Sequence, residues 1–375
     1  MRVGALHLGA GQHGVRVYGE LVAAALAGVD GVEVVAETVE RPTVRGVRAA
    51  ARRLRGAGAE VAYLQLNPQP AVGVWGPHLT QLAHLEAFLG AWRGPIVATL
   101  HDLVARRPAG RHLAAFRQAR GPRGLARVGW FAAGLDRVVV RRLARRAATL
   151  VVCTEVEAER LRAMAPRAAV EVIPHLAVQR PLGPDPAAKA RLGLAGRRVV
   201  TLLGFLHPRK GGELLVGAVP RLPDDVVVLL AGRPSDPAYG ERLLERAADL
   251  GVAERVRMTG YLDDAALDDV VAATDVAACP FRAMSASGTV AVWIGAACPI
   301  VASSLRQLEA LGAAYPGLVT AFPERTSEAL ADALLATLDD RGHHGAPLLA
   351  AREAHRPERL AELHATALRR ALVRG

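Results

Sequence analysis

The sequence is poor in lysine, cysteine and aromatic residues. Only Lys189 and Lys210 are lysines among the 47 Lys and Arg residues of the 375-residue chain, whose formal net charge is +11. Aromatic residues make up 4% of the chain, so its cores must be built from Ala, Leu and Val. No RNA-binding, zinc-finger or basic-zipper motif accompanies the positive charge, so we expect no nucleic-acid partner. The charge still suits an acidic ligand or an anionic membrane surface.

The cysteines are too widely spaced for a zinc site or a disulfide framework. Cys153, Cys279 and Cys298 each follow or lie in an apolar segment, as expected of buried thiols in a reducing compartment. The N-terminus lacks the apolar region and cleavage site of a signal peptide,. No apolar run reaches the ~18 residues that a membrane span needs. The sequence therefore predicts a cytoplasmic protein.

Apolar runs alternate with helical patterns in both halves of the chain. This pattern predicts an α/β protein with two doubly wound, Rossmann-like domains that face each other across a cleft. We place the first domain at residues 1–178 and the second at residues 188–355. The segment 179–187 is the best linker candidate because it has three prolines and no periodicity,. A final helix within residues 356–375 is expected to pack back on the first domain.

The most informative stretch combines a strand, a basic loop and a helix start. The apolar run 199–203 predicts a buried strand, Gly204 ends it, and a helical pattern opens at Gly211,. Free N–H groups and the dipole of a helix N-terminus favour an anion. In a chain that otherwise uses arginine, Lys210 indicates a need for a compact ammonium. We interpret this stretch as a phosphate site, with an ordinary lysine on a solvated helix start as the alternative.

Two further strand ends carry candidate site residues. Ser287, Gly288 and Thr289 open a helix and offer hydroxyl and N–H donors with little bulk, although a plain serine N-cap has the same pattern. The predicted strand 95–100 runs into His101. Because ligands of open α/β sheets lie at the carboxyl ends of strands, His101 is a candidate for the site. A hydrogen-bonded structural histidine is the alternative.

The first domain opens with a glycine-rich turn. Gly9 to Gly14 match G-x-G-x-x-G between a strand and a helix, and Glu37 lies about 20 residues further on,. This is the fingerprint of dinucleotide binding, so an NAD(P)-dependent oxidoreductase is a rival prediction. The phosphate-type loops of the second half speak against it, because such an enzyme would not need them.

Together, these segments resemble those of the GT-B glycosyltransferases, and specifically of the large retaining family called GT4. The resemblance covers nearly the whole chain. It is carried by residues 204–211, 255–262, 273–275 and 298–303 of the second half, and by residues 13–14, 99–102 and 173–175 of the first half.

The resemblance implies a nucleotide-diphosphate sugar as donor, a small polar or glycosylated acceptor, and no metal or other cofactor. It implies that Lys210, with Arg209, stabilises the departing nucleotide, and that His101 contacts the donor sugar. The other implied contacts are Gly14, Ser287, Gly288 and Thr289 for the donor diphosphate and sugar; Gly204, Tyr261 and Leu262 for the nucleotide; and Gln12, His13 and His175 for the acceptor side.

Three positions depart from the family pattern. Met284 and Val292 stand where many members carry two glutamates, which hold the sugar hydroxyls and the ribose, and Phe205 stands where many carry arginine. Some relatives replace the region of the first glutamate with a Ser-Gly segment, and Ser287-Gly288 is such a segment here. A glycosyltransferase therefore remains our first prediction, and a catalytically silent binding protein of the same fold is an alternative.

Residues 106–146 are dense in arginine, with Trp130 and Phe131 among them. Such a surface would suit peripheral contact with an anionic membrane or acceptor. It equally fits a solvated helix face.

Overall fold

A computed structural model describes residues 1–11, 13–68, 79–103, 134–284, 286–340 and 345–374. The chain divides into two compact units. The first unit comprises residues 1–174 together with 357–375, and the second comprises residues 175–356.

The first unit is built on a parallel sheet. Its strands in the described part are β1 (Arg2–Leu8), β2 (Glu33–Val39), β3 (Val61–Leu66), β4 (Ile96–Leu100), β5 (Thr149–Val152) and β6 (Val170–Val172), in the order β2-β1-β3-β4-β5-β6. Its helices there are Gly14–Leu26, Val44–Gly56, Leu79–Ala91, Leu135–Ala144, Glu155–Met164 and Pro357–Arg374. The strand order reverses between β1 and β3, so the glycine-rich turn after β1 lies at a topological switch point.

The second unit has a sheet of its own. Within the ranges given above, its strands are β7 (Arg198–Leu203), β8 (Val226–Ala231), β9 (Val256–Met258), β10 (Val276–Cys279), β11 (Ile300–Ser303) and β12 (Val319–Phe322), in the order β12-β11-β10-β7-β8-β9. Its longer helices there are Gly212–Ala218, Pro237–Asp249, Asp264–Ala273, Gly288–Gly295, Arg306–Ala314, Ser327–Asp339 and Ala346–Ala354. Here the order reverses between β7 and β10, which places the basic loop after β7 at the switch point.

Both sheets are covered on their two faces, as parallel sheets generally are. Strands β3, β4 and β8 are buried along their whole length. Small aliphatic side chains fill the two cores, in keeping with the scarcity of aromatic residues. The predicted fold, two Rossmann-like domains with separate sheets, is confirmed. Edge strand β12 was not predicted, because its half-exposed residues do not form an apolar run.

The proline-rich segment 179–187 is not a linker, and this interpretation is wrong. Asp185 donates its N–H to the Ala272 carbonyl oxygen at 2.7 Å, and the Arg180 guanidinium pairs with Asp268 at 2.8 Å. The segment therefore packs against the helix Asp264–Ala273 of the second unit. Pro186 begins the short helix Pro186–Arg191, which Asp185 caps,. The chain passes between the units earlier, at residues 174–175, and again at 356–357.

The C-terminal helix Pro357–Arg374 belongs to the first unit. It packs against the helix Gly14–Leu26. Arg369 donates to the Asp30 carbonyl oxygen at 3.0 Å, and Arg370 pairs with Glu171 at 3.2 Å. The two ends of the chain thus complete one unit.

Candidate functional site

Lys210 lies at the switch point of the second sheet. Its Nζ donates to the Leu203 carbonyl oxygen and to the Thr289 hydroxyl, both at 2.7 Å, and lies 5.0 Å from the centre of the Phe281 ring. No carboxylate pairs with it within the described ranges. Burial lowers the pKa of Lys210 to about 8, an effect that neighbouring Arg209 reinforces. A buried ammonium without a counter-ion favours an anionic ligand.

The other lysine has a structural role. Lys189 Nζ contacts Asp275 Oδ2 at 2.7 Å and donates to the Arg197 carbonyl oxygen at 2.9 Å. Asp275 in turn accepts the Val199 N–H at the start of β7. Of the two lysines, Lys189 thus forms an ion pair, whereas Lys210 has no acidic partner among the described residues.

Gly204 allows the lysine to approach the strand end. Its φ of +100° lies in the region that L-residues with a side chain avoid,. A Cβ there would lie 2.7 Å from Lys210 Nζ and 3.1 Å from Thr289 Oγ1. Gly211, with φ +74°, is needed for a similar reason, since a Cβ there would collide with the Pro280 carbonyl oxygen. The loop between them is thus specified by its two glycines.

Thr289 reaches Lys210 because the helix Gly288–Gly295 begins beside the basic loop. Ser287 is its N-cap and accepts the Val290 N–H at 3.4 Å, so the ordinary capping role is real. Gly288, the first helical residue, is exposed, and a Cβ built on it would meet no atom of the described residues within 4 Å. Open space at a helix N-terminus is what a close-lying anion requires.

The turn before Lys210 is capped by a histidine. His207 Nδ1 accepts the Arg209 N–H at 3.0 Å, and the Arg209 carbonyl oxygen accepts the Arg282 N–H at 2.8 Å. The Arg209 side chain is exposed. The loops after β7 and β10 are therefore joined through backbone as well as through Lys210.

The other nucleotide-side candidates lie on the loops after β7, β8 and β9. Tyr261 is 66% exposed, whereas Leu262 packs against the core. Phe205 is 52% exposed, and the Arg233 guanidinium lies 5.7 Å from its ring centre. Sequence analysis did not identify Arg233. The available signal was its place directly after Gly232, at the end of β8. The cation near Phe205 is thus Arg233, which follows the neighbouring strand β8.

Met284 and Val292 are half-buried and pack against the hydrophobic core of the second unit. The Met284 carbonyl oxygen accepts from Gln307 Nε2 at 3.0 Å. Their apolar side chains therefore have a packing role in this unit.

In the first unit, His101 directly follows β4 and is 6% exposed. Its Nε2 lies 2.6 Å from Gln65 Oε1, and the Tyr18 ring meets the imidazole edge-on at 5.1 Å between centroids. His101 is therefore a hydrogen-bonded buried residue that also lies at the ligand-binding edge of its sheet.

The glycine-rich turn is well defined on both sides of Gln12, which itself lies outside the described residues. His13 caps the helix Gly14–Leu26 by accepting the Val15 N–H at 3.2 Å. Gly14 is exposed, and a Cβ there would meet nothing within 4 Å. The turn thus leaves room for a ligand at the helix start.

Glu37 does not behave as a ribose-binding acid. It lies inside edge strand β2 rather than at its end, and both of its carboxylate oxygens accept hydrogen bonds from Arg53, at 2.9 and 2.7 Å. A dinucleotide would have to compete with this bidentate pair. The geometry weakens the oxidoreductase prediction.

His175 belongs to the second unit, whereas His13 belongs to the first. Its Nδ1 is 2.8 Å from the Leu176 carbonyl oxygen, and burial lowers its pKa to about 4. A neutral ring is expected throughout the physiological pH range.

Most of the arginine-rich segment, residues 104–133, lies outside the described residues, as does Ser285. Arg142, in the helix Leu135–Ala144, pairs with Glu86. The described helices include none that is long and apolar enough to cross a membrane. The described residues also include no cluster of His, Cys, Asp and Glu suited to a metal ion.

Solved structures with the same two-sheet architecture define the fold class. Sucrose-phosphate synthase from Thermosynechococcus elongatus has a TM-score of 0.74 at 16% identity, and each chain is covered completely. The Anabaena protein HepE, solved with UDP and glucose, has a TM-score of 0.71 at 17% identity, with 99% of this chain and 100% of that chain covered. The chain has the GT-B fold.

The second unit carries the family signature. Residues 197–340 match the family described as Glycosyl transferases group 1. The chain is 35% identical over 168 residues to a GDP-mannose-dependent α-(1-6)-phosphatidylinositol monomannoside mannosyltransferase of Mycolicibacterium smegmatis, covering 42% of this chain and 43% of that one. It is 32% identical over 250 residues to the D-inositol 3-phosphate glycosyltransferase of the same species, covering 64% and 51%.

The chain therefore contains a glycosyltransferase group 1 domain, as its resemblance to GT4 predicted. It spans about half the length of the curated relatives that it matches.

Proposed function

We propose that the protein is a glycosyltransferase that moves a hexose from a nucleotide-diphosphate sugar to a small polar or glycosylated acceptor. The observation that carries this proposal is the half-buried ammonium of Lys210, which has no acidic partner in the described part of the chain and bonds Thr289 at the start of a helix. A departing nucleoside diphosphate needs positive charge at this place.

The chemistry follows from the donor. As the bond between the sugar and the diphosphate breaks, negative charge grows on the phosphate oxygen that leaves. Lys210 and the open N-terminus at Gly288 would stabilise this charge, because both are fixed before the reaction. We propose that they make a divalent metal unnecessary. Retention of the anomeric configuration is proposed from the GT4 resemblance.

The relatives suggest which substrates to test first. One acts, by its name, with GDP-mannose on a phosphatidylinositol mannoside, and another on D-inositol 3-phosphate. HepE was solved with UDP and glucose. A thermal-shift panel of UDP, GDP and their sugars, with NADH beside them, comes first. Stabilisation by NADH alone would overturn the proposal.

A transfer assay then tests the mechanism. The donor selected by thermal shift is incubated with inositol phosphates and mannosides in excess EDTA, and the product's anomeric signals are read by NMR. Transfer with retention in EDTA is the expected result. An inverted product, or activity that returns only with a divalent metal, would contradict the corresponding part of the proposal.

The alternative of a silent binding protein has one specific observation in its favour. Met284 and Val292 are built into the core, so the polar contacts that glutamates would make at these positions are lacking. Donor binding by calorimetry without transfer or hydrolysis would favour this alternative.

A further inference from the structure

We propose that Gln65 is a positioning residue for His101, and that its side-chain oxygen keeps the imidazole proton on Nε2. The role of this contact in sugar transfer rests on the proposed function. Its structural content, the tautomer of one ring, can be measured without any substrate.

The contact between the two side chains defines the tautomer. His101 Nε2 lies 2.6 Å from Gln65 Oε1. An amide oxygen only accepts, so Nε2 must carry the hydrogen and donate it. A neutral ring with this proton has its lone pair on Nδ1, and it accepts there rather than donates.

The ring plane is held as well. The Tyr18 ring meets His101 at an angle of 77° and a centroid distance of 5.1 Å. The backbone N–H of His101 donates to the Leu66 carbonyl oxygen at 2.9 Å, which continues the pairing of β4 with β3. Hydrogen bond, ring contact and strand pairing together leave the imidazole one orientation.

Gln65 is itself fixed by its neighbours. The Tyr63 hydroxyl lies 3.0 Å from the Thr99 hydroxyl. Gln65 and Thr99 are direct partners in the β3–β4 pairing, so their side chains share one face of the sheet with Tyr63 and His101,. Such buried polar networks specify one arrangement because every unmade bond is costly.

A glycine in the covering helix makes room for this network. Gly19 lies in the middle of the helix Gly14–Leu26, where glycine costs about 1 kcal/mol relative to alanine,. A Cβ there would lie 2.7 Å from Gln65 Cγ and 3.3 Å from His7 Nδ1. The helix thus accepts an unfavourable residue at the place where Gln65 needs space.

The geometry points to orientation of the donor sugar. His101 lies at the carboxyl end of its strand, where ligands of open sheets bind. A ring held in one tautomer and one orientation at this edge would favour one orientation of the sugar. A ring free to change tautomer would lose this selectivity, and turnover would fall more than affinity.

Imidazole ¹⁵N NMR tests the tautomer directly. His101 signals are assigned by their loss in His101→Gln. We expect the neutral wild-type ring to carry its proton on Nε2, and a mixture of tautomers in Gln65→Leu. In Gln65→Glu, the same bond persists and the ring should hold a second proton to higher pH. The control is Thr149→Val. It removes a buried hydroxyl of β5 that has no hydrogen-bond partner in the described residues.

Kinetics give a second, independent readout. Gln65→Leu should lower kcat at least about tenfold with donor KM changed less than about threefold, and Gly19→Ala should show the same split by displacing Gln65. Gly90→Ala, with no atom within 4 Å of its Cβ, is the control for the glycine variant.

Two results would overturn the inference. One is a wild-type ring that carries its proton on Nδ1. The other is a Gln65→Leu ring with unchanged shifts and unchanged kcat. If no transfer is found in wild type but the tautomer changes as expected, the proposed function fails and the positioning role stands.

Discussion

The Lys210 ammonium and the Thr289 hydroxyl are 79 residues apart in sequence and 2.7 Å apart in space. This contact joins the loop after β7 to the helix after β10, at the point where the strand order of the second sheet reverses. The two segments that sequence analysis assigned to the donor diphosphate are therefore direct neighbours.

Replacing Lys210 by Ala should lower turnover at least ~100-fold, because the charge that stabilises the leaving diphosphate is lost. Initial rates at saturating donor measure the effect. Lys189→Ala is the matched control. It breaks the ion pair with Asp275, so it should lower the unfolding temperature and leave the donor Kd unchanged. Equal rates for Lys210→Ala and wild type would remove the proposed mechanism.

Donor affinity should fall as the pH rises above about 8. The pKa of Lys210 without ligand is lowered to about 8 by burial, and a bound diphosphate favours the charged ammonium. Below this pH the charge is already present, so this group adds no pH dependence there; above it, binding must also take up a proton. Calorimetry between pH 7 and 9.5 measures the slope. Lys210→Arg should flatten it, because arginine stays charged.

Gly14→Ala should leave the fold intact and lower activity. A Cβ at this helix start meets no atom of the described residues within 4 Å, so we attribute any loss to a ligand that approaches the backbone. We expect an unchanged or higher unfolding temperature and at least a tenfold lower kcat/KM. Gly90→Ala has equally open surroundings and should raise helix stability without a kinetic effect. Full activity of Gly14→Ala would show that the donor phosphate does not approach this turn.

Glu157→Gln should stabilise the protein above pH 7. Glu157 is fully buried at the start of the helix Glu155–Met164, and burial raises its pKa to about 7. Between about pH 4.5 and 7 the folded state retains a proton that the unfolded state has lost, so the free energy of unfolding falls as the pH rises. Glutamine has no such cost.

Denaturant unfolding at pH 5 and pH 8 measures this difference. The gain from Glu157→Gln should be small at pH 5 and roughly 1–3 kcal/mol at pH 8. Glu155 is an exposed residue of the same helix and pairs with Arg162. The control variant Glu155→Gln should show no such pH dependence. A gain that is equal at both pH values would mean that Glu157 does not titrate in this range.

Local patterns in the sequence were enough to predict both sheets, most of their strands and the two helix starts that hold Lys210 and Thr289. The apolar runs 61–66, 226–231 and 276–279 coincide with strands β3, β8 and β10, because a strand buried on both faces reads as a nearly continuous apolar run. The scarcity of lysine also pointed to position 210 without any geometry.

Long-range contacts decided the rest. Only the fold shows that Lys189 pairs with Asp275 and that Lys210 bonds Thr289. The bond between Gln65 and His101 depends on the pairing of β3 with β4. Side chains distant in sequence meet only when strands take their places in a sheet, so strand order determined which candidate groups share a site.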